Sequence, residues 1–274
     1  MIKRRLLPLM CVVASLMSLT SCFPELGYSA SSDFARVVTI VRKSMGSYGP
    51  ADSVFLEADY TGEVFKLDNL TSPEQLSLYN LEDADRAIAY IHYEVDKDYN
   101  ASLTLTDATE VKVYPVWNKA LPDSININPL TDLYKLQFEA GWTYPYVWIA
   151  GTYLNVAPVI RSMGRGQYYL SPNTVSGDTL RFDMTTVYNP STNNSDVVDF
   201  VNFDLSTLAD ITGADEVTAN AVRTMLNTIE ENDSVCVMLV GEYRTKGYLG
   251  TDTIVKWPAY TNYTKQLKSA LRGK

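Results

Sequence analysis

After residue 32 the hydrophobic pattern reads as strand after strand, in short β-branched or apolar runs and, over 86–96, in strict alternation of apolar and polar residues. Val37-Val38-Thr39-Ile40-Val41 opens the pattern as a β-branched run. Residues 52–59 pair naturally with 63–67 across Tyr60-Thr61-Gly62, which predicts a hairpin. Between 86 and 96, Ala87, Ala89, Ile91, Tyr93 and Val95 share one face, with Arg86, Tyr90, His92, Glu94 and Asp96 on the other. A fifth strand is predicted over 110–117, and a polar segment over 73–85 separates the third strand from the fourth. Five short strands within ~90 residues suit a small OB-like barrel.

Pro115, Pro122 and Pro129 punctuate the chain after that point, and Leu121-Pro122-Asp123-Ser124-Ile125 reads as a linker. Further strands are predicted over 134–140, 143–150, 153–159, 168–170, 179–188, 198–205, 233–243 and 253–257, a number that suits an antiparallel sandwich. One segment differs in period. Val217, Ala221, Val222, Met225, Leu226 and Ile229 recur at helical spacing, so 215–231 is predicted to be an amphipathic helix, with Asp215 and Glu216 favouring its dipole. The expected fold is all-β: an OB-like barrel over 33–121, then an antiparallel β-sandwich over 122–274 carrying that helix.

At the N-terminus, Lys3, Arg4 and Arg5 precede an apolar run over 6–19 that is too short to span a bilayer. The run ends in Leu19-Thr20-Ser21-Cys22, an apolar residue, two small ones and a cysteine, which resembles the lipobox cleaved by lipoprotein signal peptidase. Residues 1–21 therefore read as a signal peptide, Cys22 as the lipidated residue and 22–32 as a tether. Acyl chains on Cys22 would add about 0.8 kcal/mol per buried methylene, enough in combination to hold the protein on a membrane.

Removing 1–21 leaves 20 Lys and Arg against 32 Asp and Glu, a net charge of −12. Such a body repels nucleic acid, which is excluded as a partner. With Cys22 lipidated, Cys236 is the only remaining thiol, and inside Val235-Cys236-Val237-Met238-Leu239-Val240 it reads as a small buried hydrophobe. The single histidine, His92, rules out a histidine metal cluster and would have to serve any Ser-His-Asp triad, for which no Gly-x-Ser-x-Gly is present. Gly164-Arg165-Gly166 is too short for a phosphate-binding loop and reads as a turn. Asp96-Lys97-Asp98-Tyr99-Asn100 copies the first ligand positions of a calcium loop, but Ala101 and Asp107 stand where glycine and glutamate are needed, so a hairpin turn is expected. No catalytic residue, metal site or cofactor is expected.

Two features point to binding. Trp142, Tyr144, Tyr146 and Trp148 share parity, so on one extended strand they would form either a platform for stacking a sugar or a wall of the sandwich core. Asp52-Ser53-Val54, Asp123-Ser124-Ile125, Asp178-Thr179-Leu180, Asp233-Ser234-Val235 and Asp252-Thr253-Ile254 share an Asp-Ser/Thr-aliphatic pattern. It resembles an O-glycosylation acceptor on Ser53, Ser124, Thr179, Ser234 and Thr253, and also suits a turn entering a strand.

The Leu-Thr-Ser-Cys22 lipobox, the Arg86-Ala87-Ile88-Ala89-Tyr90 strand and the Trp148-Ile149-Ala150-Gly151-Thr152-Tyr153-Leu154-Asn155-Val156 segment together resemble the NigD-like lipoproteins of Bacteroidetes. The resemblance implies an N-terminal OB-fold domain and a C-terminal β-sandwich, and implies no activity or functional residues. It differs in Phe23-Pro24-Glu25-Leu26, where such proteins often carry an acidic run. The expected role is a non-enzymatic envelope lipoprotein on the outer membrane, facing the periplasm or the cell surface. It would bind or scaffold a glycan or an envelope protein. The alternatives are a glycan-binding surface lipoprotein and a hydrolase with an unrecognised site.

Overall fold

The computed structural model describes residues 30–43, 53–59, 61–119, 130, 132–137, 143–144, 147–160, 166–187, 196–243, 253–261 and 264–272. Cys22, the signal peptide, Pro122, Ser124 and Gly164-Arg165 lie outside them.

Strands β1 (Ala30–Lys43), β2 (Ser53–Ala58), β3 (Val64–Phe65), β4 (Arg86–Val95) and β5 (Ala101–Glu110) form one antiparallel sheet in the order β3-β2-β1-β4-β5. Long β1 is its spine, pairing with β2 at one end and with β4 along most of its length. Alternation buries Val38, Ile40, Val54, Leu56, Ala87, Ala89 and Ile91 inside. Gly62, at φ +62°, makes the β2–β3 turn, a conformation that glycine reaches without a Cβ penalty. At the β4–β5 turn the Asp96 carboxylate accepts from the Asp98 and Asn100 amides, each at 2.8 Å, and holds Tyr99 at φ +63°. This is the hairpin expected there.

The segment between β3 and β4 holds a 3-10 helix, Pro73–Tyr79, which with the loop after it buries Leu76, Leu81 and Ala84 in the sheet's concavity. Arg42 fastens that loop by donating to the carbonyls of Leu81, Glu82 and Ala84. The order is that of an OB barrel whose β3–β5 seam is bridged just past β3. There the Asp68 amide donates to the Leu103 carbonyl at 2.8 Å, and Asn69 exchanges two bonds with the Leu105 backbone.

The fifth strand corrects the expectation. It is Ala101–Glu110, where Leu103 and Leu105 alternate inward, a bulge between Leu105 and Asp107 breaks the period, and half of the residues are exposed. The segment expected to be the fifth strand is instead β6 (Lys112–Pro115), which lies in a different sheet. The chain thus leaves the barrel at Val111. At the other end, β1 already begins at Ala30, within the stretch expected to be tether.

The rest comprises β7 (Asp132–Leu133), β8 (Val147–Ala150), β9 (Tyr153–Val156), β10 (Pro158–Ile160), β11 (Gln167–Ser176), β12 (Thr179–Val187), β13 (Val197–Val198), β14 (Val201–Asp204), β15 (Val235–Tyr243) and β16 (Thr253–Thr261), with helices α1 (Glu216–Glu231) and α2 (Thr264–Arg272). Sheets β6-β14-β9-β8 and β11-β12-β15-β16 enclose the larger core, built on Leu154, Val156, Phe203, Leu170, Phe182, Val237 and Leu239. Strands β7, β10 and β13 form a short third sheet. The sandwich is not wholly antiparallel: β6 runs parallel to β14, and β12 to β15, because each pair is joined through long intervening segments rather than a hairpin. Helix α1 begins where expected, with the Asp215 carboxylate accepting from the Thr218 amide at 2.9 Å. It turns Val222, Met225 and Ile229 onto the core beside β11, each worth about 1.5–3 kcal/mol of burial. Val217, expected on that face, is exposed, and α2 was not anticipated.

Strands β8, β9 and β14 are buried on both faces. Val147, Ile149, Leu154, Val156, Val201 and Phe203 face the sandwich core. Trp148 and Ala150 face the other way, into a cluster with Val37 of the barrel.

Candidate functional site

That second face carries one row of side chains. Register pairs Trp148 with Asn155 and Asn155 with Asn202, so three adjacent strands set an indole and two amides side by side. Opposite them stand three residues of the barrel sheet: Thr39 on β1, Asp59 just after β2 and Arg86 at the start of β4. Thr39 and Arg86 are cross-strand partners.

Arg86 is the centre of the junction and is fully buried. Its two terminal nitrogens donate to the two carboxylate oxygens of Asp59 at 2.8 and 2.7 Å, a bidentate pair. Its Nε donates to Asn202 Oδ1 at 2.8 Å, and its remaining hydrogens reach Thr39 Oγ1 at 2.7 Å and Asn155 Oδ1 at 2.9 Å. All five guanidinium donors are therefore used. Asp59 Oδ2 also accepts from Trp148 Nε1 at 2.8 Å. Asn202 donates to Asn155 Oδ1 at 2.7 Å, and Asn155 in turn donates to the carbonyls of Trp148 and Tyr153.

Burying an arginine and an aspartate is costly unless every polar atom finds a partner, and here the partners come from both β units. The arrangement works as a clasp. Apolar contact flanks it: Trp148 stacks on Phe200 at 5.4 Å and 14°, and lies 4.9 Å from Tyr144. The Tyr144 hydroxyl accepts from the Val37 amide at 3.4 Å. The Tyr153 ring lies over the guanidinium at 5.0 Å, and burial, with Asp85 and Asp204, pushes its phenol up to about 12. The guanidinium donors are saturated and both Asp59 oxygens are engaged.

Sequence reasoning set Arg86 on the same face of β4 as His92, and the structure covers the Arg86 end of that face with the sandwich. The signals lay elsewhere: Asn155 and Asn202 interrupt the apolar runs Tyr153-Leu154-Asn155-Val156 and Val201-Asn202-Phe203. An amide inside a buried strand requires a polar partner.

Among the expected site residues, Tyr144 and Trp148 are buried, at 1% and 4% exposure, and present no ring face to solvent. They do not share a strand, since only Trp148 lies in β8. Trp142 and Tyr146 lie outside the described residues. Val147 and Ile149, on the opposite face of β8, are buried in the sandwich core.

Of the hydroxyls in the Asp-Ser/Thr pattern, Ser53 opens β2 and Thr179 opens β12, both partly exposed, while Ser234 is exposed just before β15. Thr253 opens β16, but its side chain is outside the described set. His92 bonds Asp33 Oδ1 through Nδ1 at 2.7 Å on the open face of the barrel sheet. Cys236 is buried, which pushes its thiol up. Among the described residues no group of three or more His, Cys, Asp and Glu is placed to hold a metal ion, and no helix is long and apolar enough to cross a membrane.

No protein-family model matches the chain, and no curated protein matches it by sequence. Solved structures do. A lipoprotein candidate from Bacteroides fragilis is 14% identical, with a TM-score of 0.53, over 85% of this chain and 98% of its own. A candidate toxin-related protein from Parabacteroides distasonis is 12% identical, with a TM-score of 0.50, over 87% of this chain and 98% of its own. A NigD-like immunity protein from Bacteroides caccae is 13% identical over 81% of this chain and 91% of its own, with a TM-score of 0.47. Similar solved structures thus include a NigD-like protein and a lipoprotein candidate from Bacteroidetes, and with the first two this chain shares its all-β fold, at low identity.

Proposed function

We propose that the protein is an outer-membrane lipoprotein, anchored through Cys22, whose two β units act as one rigid, non-enzymatic binding or scaffolding body. The observation that carries this reading is the clasp. Arg86 spends every donor on joining barrel to sandwich, so the largest buried polar cluster among the described residues serves rigidity rather than chemistry. The fold shared with a lipoprotein candidate supports the anchor. So do the lipobox at Cys22 and the NigD-like resemblance of the sequence.

Metabolic labelling with a tagged fatty acid tests the anchor. Wild-type protein takes up label and sediments with membranes, whereas Cys22→Ala takes up none and leaves the membrane fraction or keeps its signal peptide. A wild-type protein without label ends the proposal. The hydroxyl of exposed Ser234 and those of partly exposed Ser53 and Thr179 are proposed acceptors for O-linked sugar, with Ser124 and Thr253. Intact mass of protein from its native host reads this directly, and an unmodified mass leaves those residues as turn formers.

A further inference from the structure

The open half of the barrel's outward face carries a feature the clasp does not use. Phe55 on β2 is partly exposed, and the Nζ of Lys43 on β1 and of Lys66 just after β3 lie 5.4 and 5.8 Å from its ring centroid. These residues come from three adjacent strands, since Val41 is the cross-strand partner of Phe55 and Phe65 that of Leu56. The two ammonium groups are therefore no more than about 11 Å apart, both near one ring. Neither forms an ion pair with a described carboxylate. Val64, 53% exposed, extends the apolar ground beside them. Glu57, next outward on β2, marks where the face turns acidic.

In a mature chain of net charge −12, two exposed cations held over a half-buried aromatic ring, neither paired to a described carboxylate, form a local exception to the surrounding field. Cation–ring contact of this kind is worth about 0.5–1 kcal/mol when exposed, so each ammonium can turn outward to a stronger anionic partner at small cost. The platform is the face of a sheet. An acidic peptide pairing by main chain needs an edge. A sugar chain needs only ring contact and charge, and two cations within about 11 Å of each other can both reach carboxylates along one acidic chain.

We propose that Lys43, Phe55 and Lys66 bind an acidic polysaccharide, with the ammonium groups pairing to sugar carboxylates and the phenyl ring stacking on a pyranose face. This rests on the reading of the protein as an envelope binding module and names its ligand class.

The test is affinity electrophoresis of the full chain in non-ionic detergent through gels holding polygalacturonate, dextran or poly-glutamate. Retardation by polygalacturonate and not by dextran is expected. Lys43→Gln with Lys66→Gln should weaken it about tenfold, with the melting temperature unchanged. Phe55→Leu, which keeps the apolar volume but removes the ring, should weaken it as well. Equal retardation of wild type and the lysine variant overturns the proposal. Equal retardation by poly-glutamate also overturns it and makes an acidic protein segment the occupant. Fatty-acid labelling is read separately. A labelled protein that ignores polygalacturonate sinks only this inference, and an unlabelled one that binds it sinks only the envelope anchor.

Discussion

Arg86 and His92 stand on the same outward face of the same strand, three side chains apart, and each is bonded to an aspartate at 2.7 Å. Their surroundings differ in everything else. The Arg86 and Asp59 side chains are 0% and 2% exposed, beneath the sandwich, and every donor is satisfied. The His92 and Asp33 side chains are 34% and 76% exposed, with water on one side. Alternation along a strand says which residues leave the barrel core, but not whether water or another sheet receives them. The half that is received becomes structural, and the open half remains available for a ligand.

The largest effect should come from breaking the received half. Arg86→Met leaves the Asp59 carboxylate buried without its bidentate partner, and a loss of about 3–5 kcal/mol is expected in equilibrium urea unfolding. Adding Asp59→Leu should recover part of that loss, since no lone charge then stays buried. If Arg86→Met unfolds like wild type, the clasp contributes nothing and the two halves do not differ.

Trp148→Phe is a finer cut. It keeps a ring between Tyr144 and Phe200 but removes the donor to Asp59, which retains its two bonds from Arg86. A loss of about 1–3 kcal/mol is expected, read from the same unfolding curves. A much larger loss would mean that packing rather than the hydrogen bond holds the indole.

The inner face of β4 was legible from period two and helix α1 from period 3.6, because burial on one side imposes those periods directly, while β1 and β2 were read from a β-branched run and a hairpin turn. Strand β5 was not read, since a bulge after Leu105 interrupts the alternation that carries Leu103, Leu105 and Ala108 onto the core. Nor were the parallel pairings of β6 with β14 and β12 with β15, which depend on long-range topology and leave no local mark. The clasp was half legible: Asn155 and Asn202 signal a need for partners, but only the docking of two sheets reveals that Arg86 and Asp59 meet it. Of the aromatic row, the Trp148 indole serves the clasp, a role that neither the platform nor the core reading named.

Tyr153, at the rim of the received half, gives a pH-dependent probe. Burial raises its folded phenol to about 12 from an unfolded value of 10.0. A group whose folded value is raised holds its proton longer in the native state, so its contribution is complete below pH 10 and is lost as pH rises through about 12. Wild-type melting temperature should therefore fall across that interval, and Tyr153→Phe should fall less steeply. Parallel curves would show that the phenol is solvated and that the rim is open.

The smallest effect belongs to His92, where the comparison is sharpest because the bond length is the same. At 2.7 Å, His92 Nδ1 and Asp33 Oδ1 are as close as the Arg86–Asp59 pair, so separation alone would assign them similar worth. Solvent decides otherwise: water competes for both exposed partners and salt screens them, which leaves about 0–1 kcal/mol for such a pair. The register of β1 against β4, Asp33 opposite His92, is held by the whole ladder from Ala30 to Thr39 and not by this contact. His92→Ala should therefore shift the unfolding midpoint by no more than about 0.5 kcal/mol, and raising the salt concentration should erase even that. A loss comparable to that of Arg86→Met would mean that something covers the open half in solution, making His92 part of a second buried junction.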